Sequence, residues 1–169
     1  AVAQQALAHA RPASETAVIE YSSAGRVVII GEAAWANRLA ADLMPPLEPV
    51  AIVDPAPAGA PLTEEPHTAA ILAASAVNVE GHLGAFEILL RDAEGAEYRL
   101  RELLSPRDAP IDLVLDLRDP PGLAAEIPPP GYFAPGREAA AVQSAIGAMQ
   151  QLVGVFEKPR YFRYDSAIC

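Results

Sequence analysis

Short apolar runs punctuated by glycine and proline set the plan of this chain. Arg26-Val27-Val28-Ile29-Ile30-Gly31 carries four consecutive β-branched residues closed by glycine. That pattern reads as a strand buried on both faces and ending in a turn. From Ala33 to Met44 the period changes: Trp35, Leu39 and Leu43 recur every fourth residue, the spacing of one helix face. Pro45 and Pro46 stop that helix. Pro49 to Val53 is a second apolar run, closed by Asp54-Pro55, so residues 26–53 read as a βαβ unit.

The middle of the chain changes character. Residues 55–66 form a proline-rich acidic loop, and Ala69 to Ala74 reads as a helical turn. Val77 to Glu80 and Ala85 to Arg91 flank Gly81-His82-Leu83-Gly84, a hairpin signal. Glu97 to Leu104 reads as a returning strand, and Ile111 to Leu117 as a further strand with an apolar core flanked by acids. Residues 119–136 are rich in Pro and Gly and read as irregular. Glu138 to Val153 gives the clearest helix, with Val142, Ile146, Met149 and Val153 on one stripe. The expectation is an α/β domain: a mixed sheet of about five strands with flanking helices, admitting a Rossmann-like βαβ start. Its boundaries fall at 24–156, after a linker or remnant helix at 1–23 and before an extended tail at 157–169.

Composition narrows the function classes. The 169 residues are 51% hydrophobic, enough for one domain with its own core. A formal net charge of -10 repels phosphate backbones and argues against nucleic-acid binding. No apolar stretch is long enough to cross a bilayer, and no signal peptide is visible. The single cysteine, Cys169, leaves no intramolecular disulfide to form and agrees with a cytoplasmic setting. The chain starts without methionine and stops at its only cysteine, which reads as a piece of a longer protein.

Candidate chemistry is sparse. Gly31-Glu32-Ala33-Ala34-Trp35-Ala36 follows the first strand where a dinucleotide-binding loop would sit, but only its first glycine is present. Glu32 would set negative charge beside a phosphate, while Asp54 ends the second strand where a ribose-binding acid belongs. A purely structural turn competes with that reading. His82 lies between glycines, either an ordinary turn residue or a ligand or proton-transfer group. His9 and His67 have no Cys, Asp or His at metal-ligand spacing. Asp112 and Asp116, four apart, share one face of a strand. They are paired carboxylates or simply strand-end acids. No nucleophile elbow, phosphate loop or acid–base dyad is present, so the chain is expected to lack its own catalytic site.

The tail is different. Residues 157–169 concentrate three basic and three aromatic residues in an acidic chain, and a strand ending in Tyr164-Asp165 runs into Ile168-Cys169. Together with Gly81-His82-Leu83-Gly84-Ala85-Phe86, Asp112-Leu113-Val114-Leu115-Asp116-Leu117, Pro130-Gly131-Tyr132-Phe133-Ala134-Pro135-Gly136 and residues 151–165, it resembles a family of bacterial 4Fe-4S ferredoxin-type proteins. The resemblance covers about the second half of the chain. It implies a multi-cluster electron-transfer protein whose redox partner is a formate dehydrogenase-type molybdoenzyme or a similar enzyme. Cys169 would then be the first thiolate of a following cluster motif. Longer members carry cysteine motifs between the Gly-His-Leu-Gly block and the Asp-Leu-Val-Leu-Asp-Leu strand, whereas Leu90 to Pro110 here contains no cysteine. The resemblance therefore implies a cluster-free accessory portion, one that positions the 4Fe-4S segment and docks the redox partner. A nucleotide- or flavin-binding oxidoreductase domain is the alternative.

Overall fold

The computed structural model describes residues 18–43, 45–54, 70–104, 109–123 and 126–159. The chain divides into two compact units, Ser22–Val155 and a smaller one formed by Ala1–Tyr21 with Phe156–Cys169. Strand β1 (Val18–Ser23) and strand β10 (Gly154–Pro159) pair as a two-stranded sheet. The stretch expected to be a linker or remnant helix thus contains a strand at Val18–Ser23. Residues 1–17, with His9, lie outside the described residues, as do 55–69, with His67, and 160–169, with Cys169.

In the larger unit the two β-branched runs become strands β2 (Arg26–Gly31) and β3 (Glu48–Val53), joined by helix α1 (Ala33–Asp42). They lie parallel, Val28 beside Val50 and Ile30 beside Ile52. On the other side of β2 runs β8 (Leu113–Asp116), also parallel, pairing Val28 with Val114 and Ile30 with Asp116. Strand β4 (Ala70–Ala73) lies outside β3 and β9 (Tyr132–Phe133) outside β8. The five strands follow the order β4-β3-β2-β8-β9 and are parallel throughout. The α/β class and a sheet of about five strands agree with the sequence, although β4 falls in the stretch read as a helical turn and β9 in the stretch read as irregular. The hairpin, however, does not mix into this sheet. Strands β5 (Ser75–Glu80), β6 (Glu87–Arg91) and β7 (Glu97–Arg99) form a separate antiparallel sheet, entered from β4 across Ala74 alone.

Three assignments change, each for a local reason. Ala70–Ala73 is a strand rather than a helical turn, because its backbone completes the ladder on β3. The returning strand stops at Arg99 and gives way to the short helix α2 (Leu100–Leu103). Leu100 and Leu104, one helical turn apart, both reach the core there. On α1 the buried face is Ala36, Leu39 and Ala40, while Trp35 stays 36% exposed. The two alanines let the helix approach β2 and β3 closely, and the indole lies off that face.

The core explains the apolar runs. Val28, Ile30, Val50, Ile52, Val114 and Tyr132 of the parallel sheet join Ala76, Val79, Ile88 and Leu90 of the antiparallel sheet in one cluster. Their neighbours in sequence, Val27, Ile29, Ala51, Leu113 and Leu115, are equally inaccessible on the other face. A strand buried on both sides reads as continuous rather than alternating hydrophobicity. Each such side chain contributes about 1.5–3 kcal/mol relative to exposure. Helix α3 (Ala139–Gln150) buries Val142, Ala145 and Met149.

Candidate functional site

The sequence blocks of the second half meet in space. The Leu83 amide donates to the Pro130 carbonyl at 2.8 Å and the Gly84 amide to the Asp112 carbonyl at 3.1 Å. The Phe86 amide reaches the Ile111 carbonyl at 2.9 Å, and the Val114 amide reaches the Gly131 carbonyl at 2.9 Å. Gly131 adopts φ +90°, where a Cβ would sit 3.0 Å from Phe86 Cε2 and 3.1 Å from Leu83 Cα. The Gly-His-Leu-Gly turn, the Asp-Leu-Val-Leu-Asp-Leu strand and the Pro-Gly-Tyr-Phe loop therefore form one hydrogen-bonded junction. Its backbone approaches closely only because glycine occupies the contact.

The carboxyl ends of β2, β3 and β8 lie side by side beyond this junction. In open parallel sheets ligands bind outside those ends, where the strand order reverses. Here that point lies between β2 and β8, and beside it an ion network of the protein's own side chains joins the ends of β8 and β3. Asp116 ends β8 and is fully buried. Its Oδ1 accepts from the Arg118 amide at 3.1 Å and Arg118 Nε at 2.9 Å. Its Oδ2 accepts from Arg118 Nη2 at 2.7 Å, the Gly122 amide at 2.8 Å and the Tyr132 hydroxyl at 2.8 Å. Arg118 Nη1 reaches Asp54 Oδ2 at 3.0 Å and the Ala76 carbonyl at 2.8 Å, while Asp54 Oδ2 also takes the Ala76 amide at 3.2 Å. One guanidinium thus ties β8, the end of β3 and the start of β5 together. A Cβ at Gly122 would overlap Arg118 Nη2, so the loop closes flat against the guanidinium.

The electrostatics follow from that geometry. Burial alone would push the Asp116 carboxyl up, but Arg118, the Gly122 amide and the Tyr132 hydroxyl outweigh it and hold it below the usual range. The hydrogen bond to Asp116 raises Arg118 further still. Burial, then the Asp116 carboxylate, pushes the Tyr132 phenol up, so it stays a donor at neutral pH.

Asp112 lies on the same sheet face at the opposite end, about 13 Å away at 3.3 Å per residue. It too is fully buried. Its Oδ2 accepts three successive amides, Ala24, Gly25 and Arg26, each at 2.9 Å, made convergent by Gly25 at φ +95°. Burial nonetheless raises this carboxyl, the three amides only partly opposing it. The two aspartates are therefore separate anchors, not a carboxylate pair.

The remaining candidates disperse. Glu32 is exposed, pairs with Arg137 at 2.5 Å and caps α1 without a side-chain hydrogen bond. Gly31 packs against Leu117, where a Cβ would come within 3.1 Å of the leucine Cβ. Asp54 does end β3, but it faces Arg118 rather than an open crevice. His82 sits exposed on its turn, its Nδ1 3.0 Å from the Leu83 carbonyl. Among the described residues no group of three or more His, Cys, Asp or Glu is placed to hold a metal ion. A 4Fe-4S cubane takes four ligands, and this chain has one thiol, Cys169, so its own residues do not fit the cluster.

Arg118 and Tyr132 escaped the sequence reading. A signal existed: a carboxylate inside a continuous apolar strand demands a counter-charge, and the nearest cation in sequence is Arg118. No described helix is long and apolar enough to cross a membrane. No family model, no curated protein and no solved structure matches the chain.

Proposed function

We propose that this chain is the cluster-free scaffold of a multi-cluster 4Fe-4S electron-transfer protein, without a catalytic site of its own. It holds a cluster segment following Cys169 and presents it to a redox partner in the cytoplasm. A formate dehydrogenase-type molybdoenzyme is the partner that the sequence resemblance implies. The observation that favours a scaffold is the ion network: Asp54, Arg118 and Asp116 neutralise one another at the strand ends, where a ligand-binding α/β domain keeps polar groups for its ligand. The blocks that carry the resemblance also meet as a packed junction rather than as a reactive cluster.

The test compares this chain with a longer natural chain continuing past Cys169, both purified anaerobically and assayed for iron and acid-labile sulfide. Iron in the longer chain alone is expected. Stoichiometric cluster in this chain, or none in either, overturns the proposal.

A nucleotide-binding reading has one observation in its favour. Numbered within the sheet, the strand order is 3-2-1-4-5, that of doubly wound dinucleotide-binding sheets. Against it stand the single glycine after β2, the acid at the start of α1 and the Arg118 closure. Calorimetric titration with FAD, NAD and NADP is expected to give no heat; a saturable isotherm with any of them would reverse the preference.

A further inference from the structure

We infer that Ser23, Arg26 and Asp112 enclose one internal water molecule beneath the turn between β1 and β2. Three buried polar atoms there have no hydrogen-bond partner among the described residues: Ser23 Oγ, Arg26 Nη1 and Asp112 Oδ1. Ser23 is 4% exposed and Asp112 fully buried. The three residues meet at one turn. Asp112 Oδ2 is 2.9 Å from the amides of Ala24 and Arg26, which are the residue after Ser23 and Arg26 itself. The Arg26 guanidinium is also close enough to bias the Asp112 carboxyl downward.

The chemistry selects the occupant. Leaving a buried donor or acceptor unsatisfied is costly, the more so when it is charged, so three orphans around one turn call for a bridge. A cation would meet the Arg26 guanidinium, and an anion would meet the Asp112 carboxylate. A neutral molecule that both donates and accepts suits the set: it accepts from Nη1, donates to Oδ1 and exchanges either role with the Ser23 hydroxyl. Water meets these requirements, and buried waters characteristically make about three such bonds. The water completes the coordination of Asp112, whose other oxygen already holds the turn through three amides.

A high-resolution crystal structure of the chain tests this. One ordered solvent peak is expected at about 2.7–3.2 Å from all three atoms. Direct pairing of Arg26 Nη1 with Asp112 Oδ1 without solvent overturns the inference. So do an empty site and contacts near 2.4 Å that mark a bound cation. Oxygen-17 relaxation dispersion gives an independent readout in solution. A long-lived internal water that is lost from the Ser23→Val protein is expected, and a wild-type chain showing only fast-exchanging surface water refutes it.

Discussion

Replacing Arg118 by methionine removes the cation on which the strand-end network depends. The side chain is 17% exposed and its partner Asp116 is 0% exposed, so the pair does not behave as a screened surface contact. The substitution deletes the guanidinium bonds to Asp116, Asp54 and the Ala76 carbonyl. Asp116 then keeps only the Gly122 amide, the residue-118 amide and the Tyr132 hydroxyl. Breaking a buried pair from one side costs about 3–5 kcal/mol, a large part of the roughly 5–15 kcal/mol that holds a domain folded.

The pH dependence carries the diagnostic. In the native protein the folded carboxyl of Asp116 is depressed below its unfolded value. Its contribution is therefore present above the unfolded pKa, about 3.9, and is lost as pH falls through the lower folded value. In Arg118→Met the dominant remaining influence is burial, which raises the carboxyl. The variant's deficit is thus largest near pH 7 and shrinks towards about pH 4, where Asp116 can be neutral in both states. Urea unfolding at several pH values measures this directly. The double variant Asp116→Asn/Arg118→Met removes the charge with its partner and should recover part of the loss. A deficit below about 1 kcal/mol at neutral pH, or one that does not change with pH, would refute the claim that Arg118 neutralises a buried charge.

Other substitutions probe the same frame. Tyr132→Phe removes a hydroxyl that donates to Asp116 and accepts from the Leu123 amide at 3.1 Å; it should cost about 2 kcal/mol by chemical denaturation and accelerate hydrogen exchange at Leu123. Gly131→Ala places a Cβ at φ +90° against Phe86, Leu83 and the Asp112 carbonyl, for a loss of about 2 kcal/mol or more in the same assay. Asp112→Asn should differ from Asp116→Asn. The folded Asp112 carboxyl is raised by burial, so any stability it adds is present below its unfolded pKa and lost as pH rises through the folded one. Its neutral isostere should lie within about 1 kcal/mol of wild type near pH 7, whereas Asp116→Asn should cost about 3 kcal/mol; equal losses would contradict the assignment.

The parallel strands were legible because burial on both faces leaves nothing to alternate: Val27 to Ile30 and Leu113 to Leu115 are apolar without interruption. The helices 33–42 and 139–150 were legible from their period, although alanines rather than Trp35 line the contact of α1. Strand β4 was not legible, since Ala-Ile-Leu-Ala suits either state and only the ladder on β3 decides. Helix α2 was hidden for the opposite reason: four residues are too few to display a period. At the candidate site the sequence located Asp54, Asp112 and Asp116 but not their partners. Apart from the Asp116–Arg118 pair, two positions apart and signalled by a charge inside an apolar strand, those bonds join residues up to 88 positions apart or run from side chains to backbone groups, and no spacing along the chain encodes them.

Strand order and site chemistry thus point in different directions, and the particular residues decide between them. A sheet ordered β4-β3-β2-β8-β9 has its reversal between β2 and β8, which is a property of connectivity and says where an opening could form. Whether one forms depends on the residues just beyond the strand ends. After β2 comes Glu32 instead of a second glycine, and it is held by Arg137. After β8 comes Arg118, which bonds back to Asp116 and across to Asp54, with Gly122 pressed on the guanidinium. A phosphate entering there would have to compete for Arg118 with two carboxylates already in contact, one of them fully buried. Losing that partner would strand the buried charge at a cost of several kcal/mol. The network therefore acts as a lock on the sheet ends, which is why a scaffold is the reading these residues favour.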